Sequence, residues 1–201
     1  MTRRMNHLLI FGSVASVAWV IGTLLLVYFW PHLVNNLYKK AILGQGFGEG
    51  PVPINTLYTE PQALFADPLH PPASASKLAT TGVNHDTLLV VGWLDLSSRP
   101  QVLHVPDFSR RYYSVQFTDP FNIDFAYVGT RKTGTQAGDY LITGPGWKGQ
   151  VPNRMKQVSS QDNSVLVVGR ILVYSDSDLS TAYDLAKQIQ LAPLSTQLPK
   201  K

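Results

Sequence analysis

The chain has 201 residues, of which 44% are hydrophobic and 15% charged, and it contains 17 Lys and Arg, 13 Asp and Glu and no Cys. The absence of Cys excludes a disulfide scaffold, Cys-ligated zinc, iron–sulfur clusters and thiol catalysis. A charge content this low, with a mean hydropathy of −0.01, is unusual for a soluble protein and raises the question of where the apolar residues lie.

Most of them lie near the N-terminus, where residues 8–30 carry no charge and predict a transmembrane helix. About 23 residues at 1.5 Å each match the roughly 30 Å hydrocarbon layer. Three aromatic residues favoured at the lipid–water interface close the segment, and Pro31 predicts the end of the helix. The alternative is a signal peptide cleaved after Ser16-Val17-Ala18, which would leave residues 19–30 exposed, so we expect a retained anchor.

The flanking cations predict the orientation of this helix. Arg3 and Arg4 precede it, whereas Lys39 and Lys40 follow it, and with the terminal amine the bias slightly favours a cytoplasmic N-terminus. We therefore expect a single-pass protein of the bacterial cytoplasmic (inner) membrane, with residues 1–7 in the cytoplasm and the C-terminal domain on the periplasmic side.

A juxtamembrane segment and a linker are predicted next, over residues 31–53. Apolar residues recur at helical spacing between residues 32 and 43 and end at Gly44, which predicts a short amphipathic helix that either lies on lipid or packs under the domain. Residues 44–53 are rich in Gly and Pro and predict a linker. The remainder, residues 54–201, is predicted to be one domain, beginning with a short helix between Pro61 and Asp67.

The rest of the domain is dominated by strand patterns. Residues 87–96 are almost continuously apolar, as in a strand covered on both faces, and residues 112–118 alternate. Turn signals separate these and further segments, which favours an antiparallel β-sandwich. The further strands are predicted at 101–105, 125–130, 139–143, 154–158 and 164–174. An amphipathic helix capped by Asp176 or Ser177 and ending at Ala192-Pro193 closes the domain.

The charge distribution argues against nucleic-acid binding. Residues 41–199 hold all 13 acidic residues but only 11 of the 17 basic ones, so the domain itself is slightly acidic. A basic stripe interleaved with aromatic residues would be needed, and only the pairs Arg110-Arg111 and Arg131-Lys132 are present. Nucleic acid is therefore not an expected partner, and the membrane, through residues 8–30, is one.

Recognisable catalytic and cofactor motifs are missing from the sequence. The segment 144–149 has Gly after its Lys, where a phosphate-binding loop needs Ser or Thr, and no G-x-S-x-G elbow is present. His85-Asp86, even together with His104 and Asp107, lacks a specific metal-binding spacing. No metal or cofactor is therefore expected. Asp95, inside an apolar strand, is expected to form a structural ion pair with Arg110, Arg111 or Arg131.

Polar residues at predicted strand ends form the candidate ligand or interface site, and they are Asn84, Asp86, Tyr113, Asp119 and Arg131. Two carboxylates held about 5–10 Å apart could act as acid and base on a glycosidic bond. Asp at a strand end more commonly caps a turn through its side-chain oxygen, so catalytic residues are not assigned. Convergence on one pocket would favour ligand binding, whereas scattering around the rim would favour assembly.

Several segments together resemble the bacterial domain of unknown function 1254 family. They are Asn84-His85-Asp86-Thr87, Trp93-Leu94-Asp95-Leu96, Arg111-Tyr112-Tyr113-Ser114-Val115-Gln116, Ala126-Tyr127-Val128-Gly129-Thr130-Arg131, Gly138-Asp139-Tyr140 and Gly144-Pro145-Gly146-Trp147. The resemblance implies an immunoglobulin-like β-sandwich in an exported or envelope-attached protein, without an established activity. His85 replaces the family's usual Arg, which puts in doubt any role for a fixed cation there.

The family commonly continues into a second β-rich domain, of unknown function 1214, which is not found before Lys201. We therefore expect a mainly β, antiparallel immunoglobulin-like sandwich with a C-terminal helix and one N-terminal transmembrane helix. Its expected role is a non-enzymatic binding or assembly module that pairs with a separately encoded envelope partner. The alternative is a small-ligand-binding protein or hydrolase that uses the carboxylates at the strand ends.

Overall fold

A computed structural model describes residues 2–45, 50–59 and 86–194, which form a long N-terminal helix and a two-sheet β domain. The helices are α1 (Thr2–Gln45) and α2 (Leu179–Lys187), the latter preceded by a 3-10 turn (Asp176–Asp178). The strands are β1 (Leu57–Thr59), β2 (Thr87–Asp95), β3 (Gln101–Val105), β4 (Tyr113–Thr118), β5 (Asp124–Gly129), β6 (Gly138–Thr143), β7 (Lys156–Ser159), β8 (Ser164–Leu172) and β9 (Gln190–Pro193). The predicted helix at residues 61–67 lies outside the described residues.

Two sheets enclose the main core. One has the order β1-β2-β8-β4-β5 and is antiparallel throughout, and the other has the order β7-β6-β3-β9. The inward side chains of both sheets and of α2 are buried, including Leu88, Leu103, Phe117, Ile142 and Ala182. The prediction of a mainly β fold with two sheets, a C-terminal helix and a long apolar N-terminal helix is confirmed.

Helix α1 differs from the prediction because it continues through Pro31 to Gln45. A proline inside a helix removes one backbone hydrogen bond and costs about 3 kcal/mol. Contacts with the domain beyond Pro31 offset that cost. Asn35 Nδ2 donates to the Asp119 carbonyl at 2.7 Å, and Lys39 Nζ donates to Ser164 Oγ at 2.9 Å. The segment 32–43 was predicted either to lie on lipid or to pack under the domain, and in the structure it packs against the domain.

The end of α1 covers part of the outer face of the five-stranded sheet. Ile42 and Val52 pack with Val91 and Trp93 in a second apolar cluster, and the Val52 amide donates to the Ile42 carbonyl at 3.3 Å. Strand β2 is thus buried on one face by the sheet-to-sheet core and on the other by α1. Its unbroken apolar sequence follows from these two environments.

Several local predictions were wrong at the two ends of the second sheet. The last helix ends at Lys187, and Gln190–Pro193 forms the edge strand β9, which pairs with β3. Pro193 is tolerated there because an edge strand can lack one N–H donor. Strand β7 begins at Lys156 and runs parallel to β6, whereas antiparallel pairing was expected.

The predicted ion pair of Asp95 was also wrong. Asp95 Oδ1 accepts a hydrogen bond from the Ser97 amide at 2.9 Å. The Ser97 side chain and then this amide lower the pKa of Asp95. Arg111 instead binds Asp178, the residue that precedes α2. Neither predicted cap residue, Asp176 nor Ser177, occupies the N-cap of α2, and the Asp178 side chain makes no capping bond because it faces Arg111.

Candidate functional site

The part of the outer face that α1 leaves uncovered forms a concave site, here called the sheet pocket. Its volume is about 430 Å³, within the range typical of small-molecule sites. The polar residues that line it are Tyr112, Tyr113, Ser114, Gln116, Tyr127, Arg131, Lys132 and Arg170. It therefore lies on strands β4, β5 and β8 and on the turn that follows β5.

Strand alternation places the side chains of the pocket floor. In β4, Tyr113 and Val115 point into the core, so Ser114 and Gln116 point outward. Ser114 is directly opposite Arg170 of β8, and Gln116 is opposite Tyr127 of β5. Three neighbouring strands thus bring hydroxyl, amide and guanidinium groups to one surface.

Gly129 shapes the turn that adds two more cations. Its φ is +154°, and a Cβ at this position would lie 2.5 Å from the Tyr113 carbonyl oxygen. The Lys132 and Thr133 amides donate to the Gly129 carbonyl at 3.0 and 2.8 Å, which closes a tight turn. Arg131 and Lys132 are held by this turn at the edge of the sheet pocket.

The cations of the sheet pocket lack carboxylate partners among the described residues. The ion pairs among the described residues join His104 with Asp139, Arg111 with Asp178 and Lys187 with Asp184. None of them includes a cation of the pocket, namely Arg131, Lys132 or Arg170. The Arg131 guanidinium instead lies 5.8 Å from the ring centroid of Tyr112. A positive site with available donors is therefore present in a domain whose sequence is slightly acidic.

Asp124 orients the polar groups at one end of the sheet pocket. Its carboxylate accepts hydrogen bonds from Gln116 Nε2 at 2.7 Å, Thr118 Oγ1 at 2.8 Å and the Tyr127 hydroxyl at 2.6 Å. The bond with Asp124 raises the pKa of Tyr127. With three donors already bound, this carboxylate holds Gln116 and Tyr127 in place and does not line the pocket itself.

The structure brings two of the five predicted site residues, Tyr113 and Arg131, to this pocket. The Tyr113 side chain is fully buried and stacks on Phe108 with 4.0 Å between ring centroids. Burial raises the pKa of Tyr113, and the Thr133 side chain partly offsets this rise. No described group lies in hydrogen-bonding geometry with the Tyr113 hydroxyl. Tyr113 therefore supports the pocket from beneath, whereas Arg131 is exposed to a ligand.

The two other predicted site residues that the structure describes, Asp86 and Asp119, lie elsewhere. Asp119 accepts hydrogen bonds from the Phe121 and Ile123 amides at 2.9 and 2.8 Å, so its carboxylate stabilises the turn between β4 and β5. Asp86 is exposed just before β2, where its carbonyl accepts from the Val173 amide. Asn84 lies outside the described residues.

Comparison with known proteins identifies the family. Residues 67–193 match the model described as "Protein of unknown function (DUF1254)". The chain belongs to this family. No characterised protein in the curated set matches it.

Two solved structures resemble this DUF1254 chain. The VPA0106 protein from Vibrio parahaemolyticus is 22% identical, with a TM-score of 0.59, over 86% of this chain and 41% of its own. An uncharacterized protein from Burkholderia cenocepacia is 11% identical, with a TM-score of 0.39, over 59% of this chain and 31% of its own. The first supports the fold, and this chain spans less than half of that protein's length.

The described part of the DUF1254 chain has no group of three His or acidic residues that could hold a metal ion. His104 Nδ1 is 2.7 Å from Asp139 Oδ1 in the neighbouring strand, and Asp107 accepts from the Ser109 amide. His85 lies outside the described residues. His104 and Asp107 thus serve separate local contacts.

Sequence reasoning missed Arg170, Lys132 and Tyr127 as members of the site. Arg170 carried a usable signal, because it is the one charged residue in the otherwise apolar run 165–173 and strand alternation places it outward. What the sequence could not show is that β8 lies beside β4, which puts Arg170 opposite Ser114.

Proposed function

We propose that this DUF1254 protein is a membrane-anchored binding protein of the bacterial envelope that receives a small anionic ligand in the sheet pocket. One observation supports this most directly: Arg131, Lys132 and Arg170 line a single concavity with no carboxylate partner among the described residues. Guanidinium groups present paired N–H donors that match carboxylate and phosphate oxygens. A small carboxylate or phosphate is therefore the ligand class.

The proposed location rests on α1. Residues 10–44 of this helix are long and apolar enough to cross a membrane, and the side chains of residues 10–30 are exposed. Arg3 and Arg4 favour a cytoplasmic N-terminus. Alkaline phosphatase fused after Lys201 should be active, since that enzyme requires the periplasm, and activity only of a cytoplasmic reporter at the same point would overturn the location.

Anion binding is tested by titrating the detergent-solubilised full chain with inorganic phosphate and with succinate. At least one should raise the unfolding temperature in a saturable way, because a ligand that binds only the native state stabilises it. Arg170→Gln should weaken that binding at least tenfold. Arg99→Gln is the matched control, since Arg99 is exposed in the turn before β3 and outside the pocket. Equal effects of the two substitutions would contradict the proposal.

The geometry favours binding over hydrolysis. Among the described residues no carboxylate lines the sheet pocket, Asp119 is engaged in its own turn, and Asp124 already accepts three hydrogen bonds. A glycosidase-type mechanism needs two available carboxyl groups on either side of the bond that is cleaved. The pocket offers cations and neutral donors, which bind an anion but do not supply that acid and base pair.

Assembly with a separately encoded partner is the second candidate function. It is favoured by the extent of the match to the Vibrio parahaemolyticus protein, in which this fold accounts for 41% of the chain. In this second proposal, a separately encoded protein binds the domain. Co-purification from detergent-solubilised membranes with products of neighbouring genes should recover it, and a lone monomer would count against this second function without affecting the anion titration.

A further inference from the structure

The turn between β4 and β5 contacts α1 at the level where its apolar segment ends. The Phe121 ring centroid is 6.1 Å from that of Tyr28 and 5.2 Å from that of His32. One helical turn further along, Asn35 Nδ2 donates to the Asp119 carbonyl at 2.7 Å. Among the described residues, the contacts of this turn are the domain contacts of α1 nearest to the apolar segment.

The length of the apolar segment sets the depth of this contact. Residues 8–30 extend over roughly 33 Å at 1.5 Å per residue, close to the roughly 30 Å hydrocarbon thickness. Tyr28 and Trp30 therefore occupy the outer interface, where aromatic side chains are favoured. Phe121, packed between Tyr28 and His32, lies at the same depth.

The turn is chemically suited to that interface. The Asp119 carboxylate accepts hydrogen bonds from the Phe121 and Ile123 amides, so burial of the turn in a less polar medium would not leave these two donors unpaired. Ile123 leaves 62% of its surface exposed, although it is a large apolar residue. Asn122 faces a cavity of about 450 Å³ that Trp30, Pro31 and Val34 line from the helix side.

We propose that the β4–β5 turn is a second membrane contact, in which Phe121 and Ile123 enter the interface of the outer leaflet beside α1. The bilayer is the occupant of this apolar surface because the surface is continuous with the exposed aromatic end of the span. This inference rests on the membrane anchoring in the proposed function. Together, helix and turn hold the domain at two points, so the domain keeps one orientation on the membrane.

The contact is apolar and not electrostatic. Residues 112–130 contain no Lys or Arg, and the two carboxylates in this stretch near the turn, Asp119 and Asp124, are held by internal hydrogen bonds. Insertion of Phe121 and Ile123 should therefore be the same in vesicles of phosphatidylcholine alone and in vesicles that also contain phosphatidylglycerol.

The lack of native Cys allows a direct measurement of depth in the full chain. A nitroxide is attached to Ile123→Cys in reconstituted vesicles, and its collisions with oxygen, which concentrates in lipid, are compared with those of a water-soluble nickel chelate. The oxygen-to-nickel ratio should be several-fold higher than for Gln136→Cys, an exposed residue in the connection beyond the opposite end of β4. Equal ratios would overturn the proposal.

Val17→Cys, within the span, separates this proposal from the anchoring on which it rests. A lipid-like ratio at 17 with a water-like ratio at 123 would refute the turn contact alone, whereas a water-like ratio at 17 would refute the anchor. Photolabelling of the unmodified protein by a diazirine-bearing lipid is the independent measurement. Label should appear in the peptide containing residues 119–124, and its absence there would refute the contact even if a Cys variant misfolded.

Discussion

Arg111 and Asp178 form a two-point ion pair that ties the start of β4 to the start of α2. Arg111 Nη1 is 2.5 Å from Asp178 Oδ2, and Nη2 is 2.7 Å from Oδ1. Arg111 Nη1 also donates to the Leu172 carbonyl at 2.7 Å, and Asp178 accepts from the Tyr174 amide at 3.0 Å. Both side chains are largely buried, so the pair joins three segments in an environment that strengthens it.

Asp178→Asn should destabilise the domain. The Arg111 guanidinium lowers the pKa of Asp178 from 3.8 to about 2, and a shift of this size corresponds to about 2 kcal/mol. Urea unfolding of the detergent-solubilised chain at pH 7 should show a loss of that order. Asp176→Asn is the matched control, because Asp176 is exposed in the same 3-10 turn, and it should change the free energy of unfolding by less than about 0.5 kcal/mol.

The contribution of Asp178 should also depend on pH in a defined direction. Because its folded pKa lies below its unfolded value, the stabilisation is complete above the unfolded pKa of 3.8 and is lost as pH falls through about 2. The difference in unfolding free energy between the native chain and Asp178→Asn should thus shrink steadily from pH 5 to pH 2. A difference that stayed constant over this range would rule out the ion pair as its source.

Docking of α1 should depend on Ile42. Ile42 packs on Val91 and Trp93 and is only 8% exposed. Ile42→Asn should therefore weaken the packing of α1 on the sheet by about 2–3 kcal/mol. Hydrogen exchange should then accelerate in residues 50–59 and 86–95. Leu37→Asn changes a similar aliphatic residue on the same helix that is 55% exposed, and it should leave exchange in these peptides unaltered.

Gly129 should tolerate no side chain. In Gly129→Ala the new Cβ would lie 2.5 Å from the Tyr113 carbonyl oxygen and 2.7 Å from Ser114 Cα, in addition to the strain of φ at +154°. We expect a loss of about 3 kcal/mol, measured by thermal or urea unfolding. Weaker phosphate or succinate binding should accompany it, because this turn holds Arg131 and Lys132.

Gly134→Ala is the control for Gly129→Ala. Its φ of +86° is also unfavourable for a side chain, but a Cβ there meets nothing within 4 Å. Only the backbone strain remains, which should cost about 1 kcal/mol. Similar losses for both variants would show that the close approach of Gly129 to β4 does not matter.

Much of the fold could be predicted because the hydropathy pattern of a short segment depends on which of its faces are buried. The alternation in β4 correctly placed Val115 and Phe117 in the core, and the unbroken apolar run of β2 correctly indicated cover on both faces. The turn signals located most strands to within two residues. The family resemblance was confirmed as well, since the quoted motifs lie in residues 67–193, where the family model matches.

Less of the candidate site could be predicted. Tyr113 and Arg131 were anticipated, but Arg170 becomes a neighbour of Ser114 only through the pairing of β4 with β8. The same limit applies to Asp178, which is 67 residues from Arg111, whereas the sequence had suggested the nearer Asp95 as the ion-pair partner. Pairing between distant segments depends on how the whole core closes, which no local pattern records.

The sequence by itself determined the apolar N-terminal helix, the slightly acidic and Cys-free β domain, and the inward and outward faces of its main strands, because hydropathy and period act over a few residues. Only the tertiary structure decided that α1 continues past Pro31, that its end covers β2, and that Arg131, Lys132 and Arg170 share one pocket. These features depend on contacts between segments far apart in the chain. The pocket exists because α1 covers only part of the sheet face, leaving polar residues of β4, β5 and β8 open to solvent.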